Sequence, residues 1–198
     1  KNILLSSLNE DLHAQQADVR PTQQVNVRPA HNFSGFSGEF VNFVKNLENA
    51  GNTGYDRKKR LWFPHPSPEG KMPTIGYGHK IKNNAELEEC RAGLSTSDVE
   101  RLLKQDLENA KDNVYKYIKH KFKLNIVLDQ ERLEMLTEYA FNLGSLRVFP
   151  KFTEAVLNRD WKWAKEEYIR NYTNSETNQL EPLVRRNKLF FDRYLKNK

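Results

Sequence analysis

Two features of this 198-residue chain have the residue types and spacing to do chemistry: a glutamate near the end of an amphipathic segment, Glu48, and the run TIGYGH that begins 26 residues later at Thr74. The run packs a β-branched pair, two glycines, an aromatic and a histidine into Thr74 to His79. Thr74, Ile75 and Tyr77 favour an extended strand, while Gly76 and Gly78 allow another backbone or a ligand to come close. A hydroxyl and an aromatic ring would then be displayed on a thin ribbon. Alone, the run reads equally well as an ordinary glycine-bearing strand. The glutamate changes its weight, because a carboxyl group can donate a proton to a leaving oxygen where a hydroxyl can orient a water.

Glu48 is delivered by SGEFVNFVKNLEN, Ser37 to Asn49, in which Phe40, Phe43, Val44 and Leu47 recur at helical spacing behind a Ser37 cap. A carboxylate at the C-terminal edge of that helix gains nothing from the dipole, which is negative there, and partial burial disfavours its charged form. That suits a general acid. The plainer alternative is a solvated last-turn glutamate. Further along, Ser95 and Asp98 form a capping box that opens a long helix. Its apolar face carries Val99, Leu102, Leu103, Leu107, Ala110, Val114 and Ile118, and Asp106 falls on the same face, where a carboxylate needs a partner. A second helix spans about Asp129 to Leu143 and stops at Gly144. The aromatics Trp161, Trp163 and Tyr168 read as core, and a last helix over about Glu181 to Leu195 carries Arg185 and Arg186 near its start.

Glu48 and TIGYGH together resemble the phage-type (T4 lysozyme-like) lysozymes, the glycoside hydrolases of family 24 that cut peptidoglycan. The resemblance extends over roughly Phe36 to Leu195, through GLSTSDVERLLKQDLENA (Gly93 to Ala110), EYAFNLGS (Glu138 to Ser145) and EPLVRRNKLF (Glu181 to Phe190). It implies an α+β, mainly helical, two-lobe domain with a small β-hairpin sheet near Tyr55 to Ile81 and a larger helical lobe. It implies Glu48 and Thr74 as catalytic residues, His79 and Asp106 as a structural pair, and Tyr77, Arg185 and Arg186 as substrate contacts, the arginines toward a peptide-stem carboxylate. No cofactor or metal is implied.

The chain departs from that pattern at the second catalytic group. Glu48 and Thr74 are further apart than in compact members of the family, and no aspartate stands a few residues before the threonine. Ser67 or His65 falls there; Asp56 lies one residue after Tyr55, which matches the family's tyrosine two positions before its aspartate, as if an insertion after Tyr55 had moved the acid; and the Glu69-Gly70 pair matches a non-catalytic turn. Two reactions stay open. In one, Glu48 protonates the leaving oxygen and water attacks, oriented by Thr74 with Asp56, His65 or Ser67. In the other the sugar's own 6-hydroxyl replaces water, as in a lytic transglycosylase. A catalytically silent peptidoglycan-binding module is the third possibility.

Composition agrees with a wall-acting protein. Lys and Arg number 32 against 26 Asp and Glu, a formal +6, which suits a polyanionic surface. The single cysteine, Cys90, excludes an internal disulfide framework and fits a reducing cytoplasm as the place of synthesis. No apolar run reaches the ~20 residues of a membrane span. The five histidines show no HExxH spacing, which leaves a zinc peptidase without a motif. The basic run KYIKHKFK, Lys116 to Lys123, lacks a nucleic-acid docking motif and reads as the exposed end of a helix. The chain opens on Lys1, as a processed product or a trimmed piece would. Residues 1–35 are polar and interrupted by Pro21 and Pro29, an extended arm in front of a catalytic domain at 36–198. The arm points to docking on other virion or tail proteins, and so to a phage-encoded, virion-associated muramidase acting in the bacterial cell wall. A free endolysin, held in the host cytoplasm before release, is the alternative.

Overall fold

A computed structural model describes residues 35–67, 72–174 and 176–198. In chain order the elements are α1 (Gly38–Asn49), β1 (Tyr55–Asp56), β2 (Leu61–Trp62), β3 (Thr74–Ile75), β4 (His79–Lys80), α2 (Asn84–Arg91), α3 (Thr96–Phe122) and α4 (Gln130–Leu143). A 3-10 turn at Leu146–Val148 leads into α5 (Pro150–Asn158), α6 (Trp161–Glu167), β5 (Asn171–Thr173), β6 (Leu180–Pro182) and α7 (Val184–Phe190), which ends in a π turn at Phe191–Leu195. The architecture is α+β and mainly helical, and among the described residues the strands form three short antiparallel hairpins. Residues 1–34 of the 1–35 arm and the Glu69-Gly70 pair lie outside the described residues.

Caps set the helix limits. Ser37 is extended and its Oγ accepts the Phe40 N–H at 3.1 Å, and Ser95 and Asp98 exchange both bonds of the capping box that starts α3. At the other ends, Lys123 and Gly144 take left-handed conformations that close α3 and α4. The last helix is shorter than its sequence pattern suggests. Glu181 lies in β6, paired with Tyr172, and the helix begins only at Val184. The hairpin overrides the helical spacing because Leu183 donates its N–H to Arg170 across the hairpin's mouth instead of entering a helical turn.

The 27-residue α3 organises the molecule, because one face of it enters three apolar clusters in succession. Val99 packs in a small lobe with Trp62, Ile75, Ile81 and Cys90. Leu103 and Leu107 meet Phe40 and Val44 where α1 crosses. Ala110, Val114 and Ile118 enter the large helical core around Tyr139, Phe152 and Phe190. Burying such side chains stabilises by about 1.5–3 kcal/mol each, so α3 is held along its whole length and fixes one lobe relative to the other.

Candidate active site

The C-terminal end of α1 is fastened to the TIGYGH hairpin by Asn49. Its Nδ2 donates to the Gly76 carbonyl at 2.7 Å and to the Thr53 carbonyl at 3.0 Å, while its Oδ1 accepts the Thr53 N–H at 2.7 Å. Glu48, one residue earlier, is thereby held against the β3–β4 turn. A Cβ on Gly78 would lie 3.3 Å from Glu48 Oε2, and a Cβ on Gly76 would lie 2.7 Å from Cβ of Val99. Both glycines also have positive φ, +61° at Gly76 and +85° at Gly78. The close approach that the glycines permit is therefore made by the chain itself: α3 at the first, the candidate acid at the second.

Glu48 is half-buried, and its Oε1 accepts from Arg186 Nη1 at 2.7 Å. The same guanidinium donates from Nε to Glu138 Oε1 at 2.7 Å, and Glu138 in turn receives Arg170 Nη1 at 3.0 and 2.7 Å. Arg170 and Glu138 have 0 % exposed side chains, and Arg170 lies over the Tyr139 ring at 4.1 Å. An alternating chain Arg170, Glu138, Arg186, Glu48 thus runs from the large core to the partly exposed Glu48 carboxyl beside the β3–β4 turn. Burial works to lower the Arg186 pKa, and the carboxylates of Glu138 and Glu48 outweigh it and raise it. Sequence reasoning missed Glu138 and Arg170 as members of the site. The available signal was a carboxylate flanked by Leu136, Tyr139 and Ala140 on the buried α4, which demands a cation.

The arginines differ from the expected peptide-stem contacts. Arg185 donates to the Asn46 carbonyl at 2.9 Å, to Asn46 Oδ1 at 2.8 Å and to the Leu47 carbonyl at 3.4 Å. It caps the last carbonyls of α1, where a cation also complements the dipole. Arg186 is engaged by two carboxylates of the protein. Tyr77 is not displayed on an open ribbon either: its ring packs 5.3 Å from that of Trp62, with Lys45 Nζ 5.3 Å above it. Burial pushes its phenol up.

Thr74 is 6 % exposed, paired with Lys80 of β4 on one side and joined to His65 on the other by an isolated antiparallel bridge. Its Oγ1 lies 3.4 Å from His65 Nδ1. Of the three candidates for a second group, His65 is the one whose contact with Thr74 is direct. Ser67, two residues on, lines a groove of about 600 Å³ with His65, Met72, Leu87 and Arg91. Asp56 is the last residue of β1 and partly exposed, and its carboxylate accepts the N–H groups of Lys58 at 2.8 Å and Lys59 at 3.0 Å in the turn that follows. The Lys59 N–H holds its carboxyl below the usual range, aided by that of Lys58 and the Lys59 charge.

His79 stands on β4 between two carboxylates. Nδ1 lies 2.6 Å from Asp106 Oδ2 on α3, and Nε2 lies 3.0 Å from Glu86 Oε1 on α2. The Asp106 hydrogen bond raises its pKa against the effect of burial, with Glu86 adding to the rise. Glu86 also accepts the Lys82 N–H at 2.7 Å, and that bond followed by His79 lowers its own pKa. Among the described residues no group of three or more His, Cys, Asp or Glu could hold a metal ion.

The arrangement is a carboxyl group clamped by one guanidinium, set against a glycine turn, with a threonine on the neighbouring strand. The Phage lysozyme family model matches residues 63–189 of the chain, which contain all of that site except Glu48. The chain belongs to the phage lysozyme family. Lysozymes of this family are hydrolases of peptidoglycan, and the fold agrees. A crystal structure of a P22 lysozyme mutant is similar over 82 % of this chain and 99 % of its own, at 17 % identity and a TM-score of 0.57. The muramidase domain of SpmX from Asticaccaulis excentricus is similar over 81 % and 97 %, at 19 % identity and a TM-score of 0.52. No curated protein matches in sequence. In this lysozyme-family chain the family match begins at Phe63, so the assignment of Glu48 rests on its geometry against Arg186 and Gly78.

Proposed function

We propose that the protein is a muramidase that cleaves the β-1,4 bond between N-acetylmuramic acid and N-acetylglucosamine, with Glu48 as the general acid. The observation that carries this reading is the placement of the Glu48 carboxyl between Arg186 and the Gly78 turn. Protonated Glu48 gives its proton to the glycosidic oxygen as the C1–O bond breaks. A water then adds to the oxocarbenium carbon and loses its proton to a base. Thr74, with His65 3.4 Å from its hydroxyl, is suited to orient that water, and Ser67 is the next group along the same segment.

One observation favours a second reaction. Asp56 is engaged by its own turn, and the group against Thr74 is an imidazole. With no carboxylate against Thr74 among the described residues, the muramic acid 6-hydroxyl would attack C1 and give a 1,6-anhydro end, Glu48 first donating and then accepting the proton. Mass spectrometry of digested peptidoglycan decides: reducing ends support hydrolysis, anhydro ends support the transglycosylase, and intact strands defeat both and leave a binding module. The polar arm at residues 1–35 supports a virion-associated lysozyme over a free endolysin. Co-sedimentation of full-length and arm-deleted protein with phage particles tests that placement.

A further inference from the structure

A second concave feature lies away from the cleft, where the C-terminal half of α3 faces the turn that follows α4. The groove encloses about 710 Å³ and is lined by Lys116, Tyr117, His120 and Lys121 from α3 and by Ser145 and Arg147 from the turn, among others. No Asp or Glu lines it. Among the described residues none of the four basic side chains is in an ion pair. The groove is separate from the acid: Lys45, one turn before Glu48, reaches Glu100 at 2.5 Å, and Lys116 stands 16 residues beyond Glu100 on α3, about 24 Å along the axis at ~1.5 Å per residue.

Complementing the helix dipole explains part of this charge, since Lys119, His120 and Lys121 fill the last turn of α3. It does not explain Lys116, a turn earlier, or Arg147, which comes from a different element, lines the same groove and lowers the phenol pKa of the half-buried Tyr117 against the effect of burial. Two elements thus converge four basic groups on one hollow with an aromatic wall and a serine. Lysine ammonium groups bind phosphate as point charges and an arginine fork binds it in a bidentate manner. A concave site of this size fits a phosphorylated sugar unit better than a duplex, which needs a long cationic strip.

We infer that this groove is a binding site for a phosphate-bearing glycan of the bacterial envelope, holding the enzyme on the wall while the cleft works. The choice of an envelope glycan rests on the muramidase reading; the anion site itself does not. An anionic bilayer is the competing partner, because Val148 next to Arg147 is 66 % exposed. One valine is little apolar area for membrane anchoring, which needs a lipid-facing surface together with charge.

The test titrates phosphorylated dextran, neutral dextran, phosphatidylglycerol-containing vesicles and a DNA duplex into the isotope-labelled full chain. Phosphorylated dextran should shift the amides of Lys116, Tyr117, Lys121, Ser145 and Arg147, with affinity falling as salt rises. Replacing Lys116→Gln, Lys121→Gln and Arg147→Gln together should weaken it about tenfold or more, as three exposed charge contacts acting together would. The charge-matched control Lys104→Gln, Lys162→Gln, Lys196→Gln should bind like the parent. Shifts elsewhere, an equal loss in the control, or tighter binding of vesicles or duplex through the groove would overturn the inference. Glu48→Gln should bind the dextran normally, and a parent protein that binds the dextran through the groove but leaves peptidoglycan uncut defeats the catalytic reading alone.

Discussion

Two ion clusters fasten the parts of the candidate site, one the hairpin and the other the candidate acid, and they are built on opposite principles. His79, Asp106 and Glu86 form a three-member cluster from residues 7 and 27 positions apart, all on elements of or next to the small lobe. Arg170, Glu138, Arg186 and Glu48 form a four-member chain whose last link joins residues 138 positions apart and whose far end has no solvent exposure. The first cluster clamps the hairpin onto α2 and α3. The second clamps the candidate acid onto the helical lobe. A break in the first should therefore appear as lost stability with the chemistry intact, whereas a break in the second should reach both. The position of a cluster in the fold, more than its number of bonds, decides which property it controls.

The largest effect should come from Glu138→Leu, which leaves Arg170 buried at 0 % exposure with no counter-ion. We expect a loss of about 3–5 kcal/mol in denaturant unfolding, and reduced turnover per folded molecule as Arg186 loses one of its two carboxylates. A loss under ~1 kcal/mol would show that the chain of charges does not hold the lobe.

Glu48→Gln comes next and should separate the two properties of the second cluster. The amide can still accept from Arg186 but cannot supply a proton, so lytic activity should fall about 10²-fold or more while the unfolding midpoint stays near that of the parent. Activity within about tenfold of the parent would remove Glu48 from its role.

His79→Asn sharpens the contrast from the other side, with an expected cost of about 1.5–3 kcal/mol for the charge-assisted bonds and unchanged kcat. Its pH dependence has a definite sign. Because the folded pKa of His79 is raised, its contribution is full below the unfolded value near ~6.5 and is lost as pH rises through the folded value. The lowered Glu86 pKa acts in the other direction: its contribution is present above the unfolded value near ~4.3 and is lost as pH falls through the folded one. The parent and His79→Asn stability curves should therefore converge in the alkaline range, and a constant gap up to high pH would refute the charged cluster.

The smallest effect should be Gly78→Ala. The added Cβ meets Glu48 Oε2 at 3.3 Å and forces a left-handed residue at φ +85°, a cost of about 1–2 kcal/mol for an L side chain. Turnover should drop with it, because the neighbour that must give way is the candidate acid. Full activity would mean that Glu48 works in a position other than the one beside the turn.

Much of this was legible before any coordinates, for a physical reason that applies unevenly. Helix caps and apolar stripes are local, so α1 and α3 could be read from Ser37, Ser95, Asp98 and the spacing of Phe40, Val44, Leu103 and Leu107. The glycines of TIGYGH announced a close approach by their lack of a side chain, and the family resemblance paired His79 with Asp106. Contacts whose energy lies between distant segments carried no such local mark. Nothing in LVRRNKLF distinguishes Arg185, which caps the end of α1, from Arg186, which grips Glu48 and Glu138. The hairpin Asn171–Thr173 with Leu180–Pro182 is exposed and includes a proline, so no alternation of apolar residues revealed it and a helix was expected from Glu181. The sequence by itself determined α1, α3 and α4, the glycine turn and the residue types available for catalysis. Only the tertiary structure decided which guanidinium meets which carboxylate and which side chain faces Thr74, because burial and pairing are properties of surfaces brought together by folding.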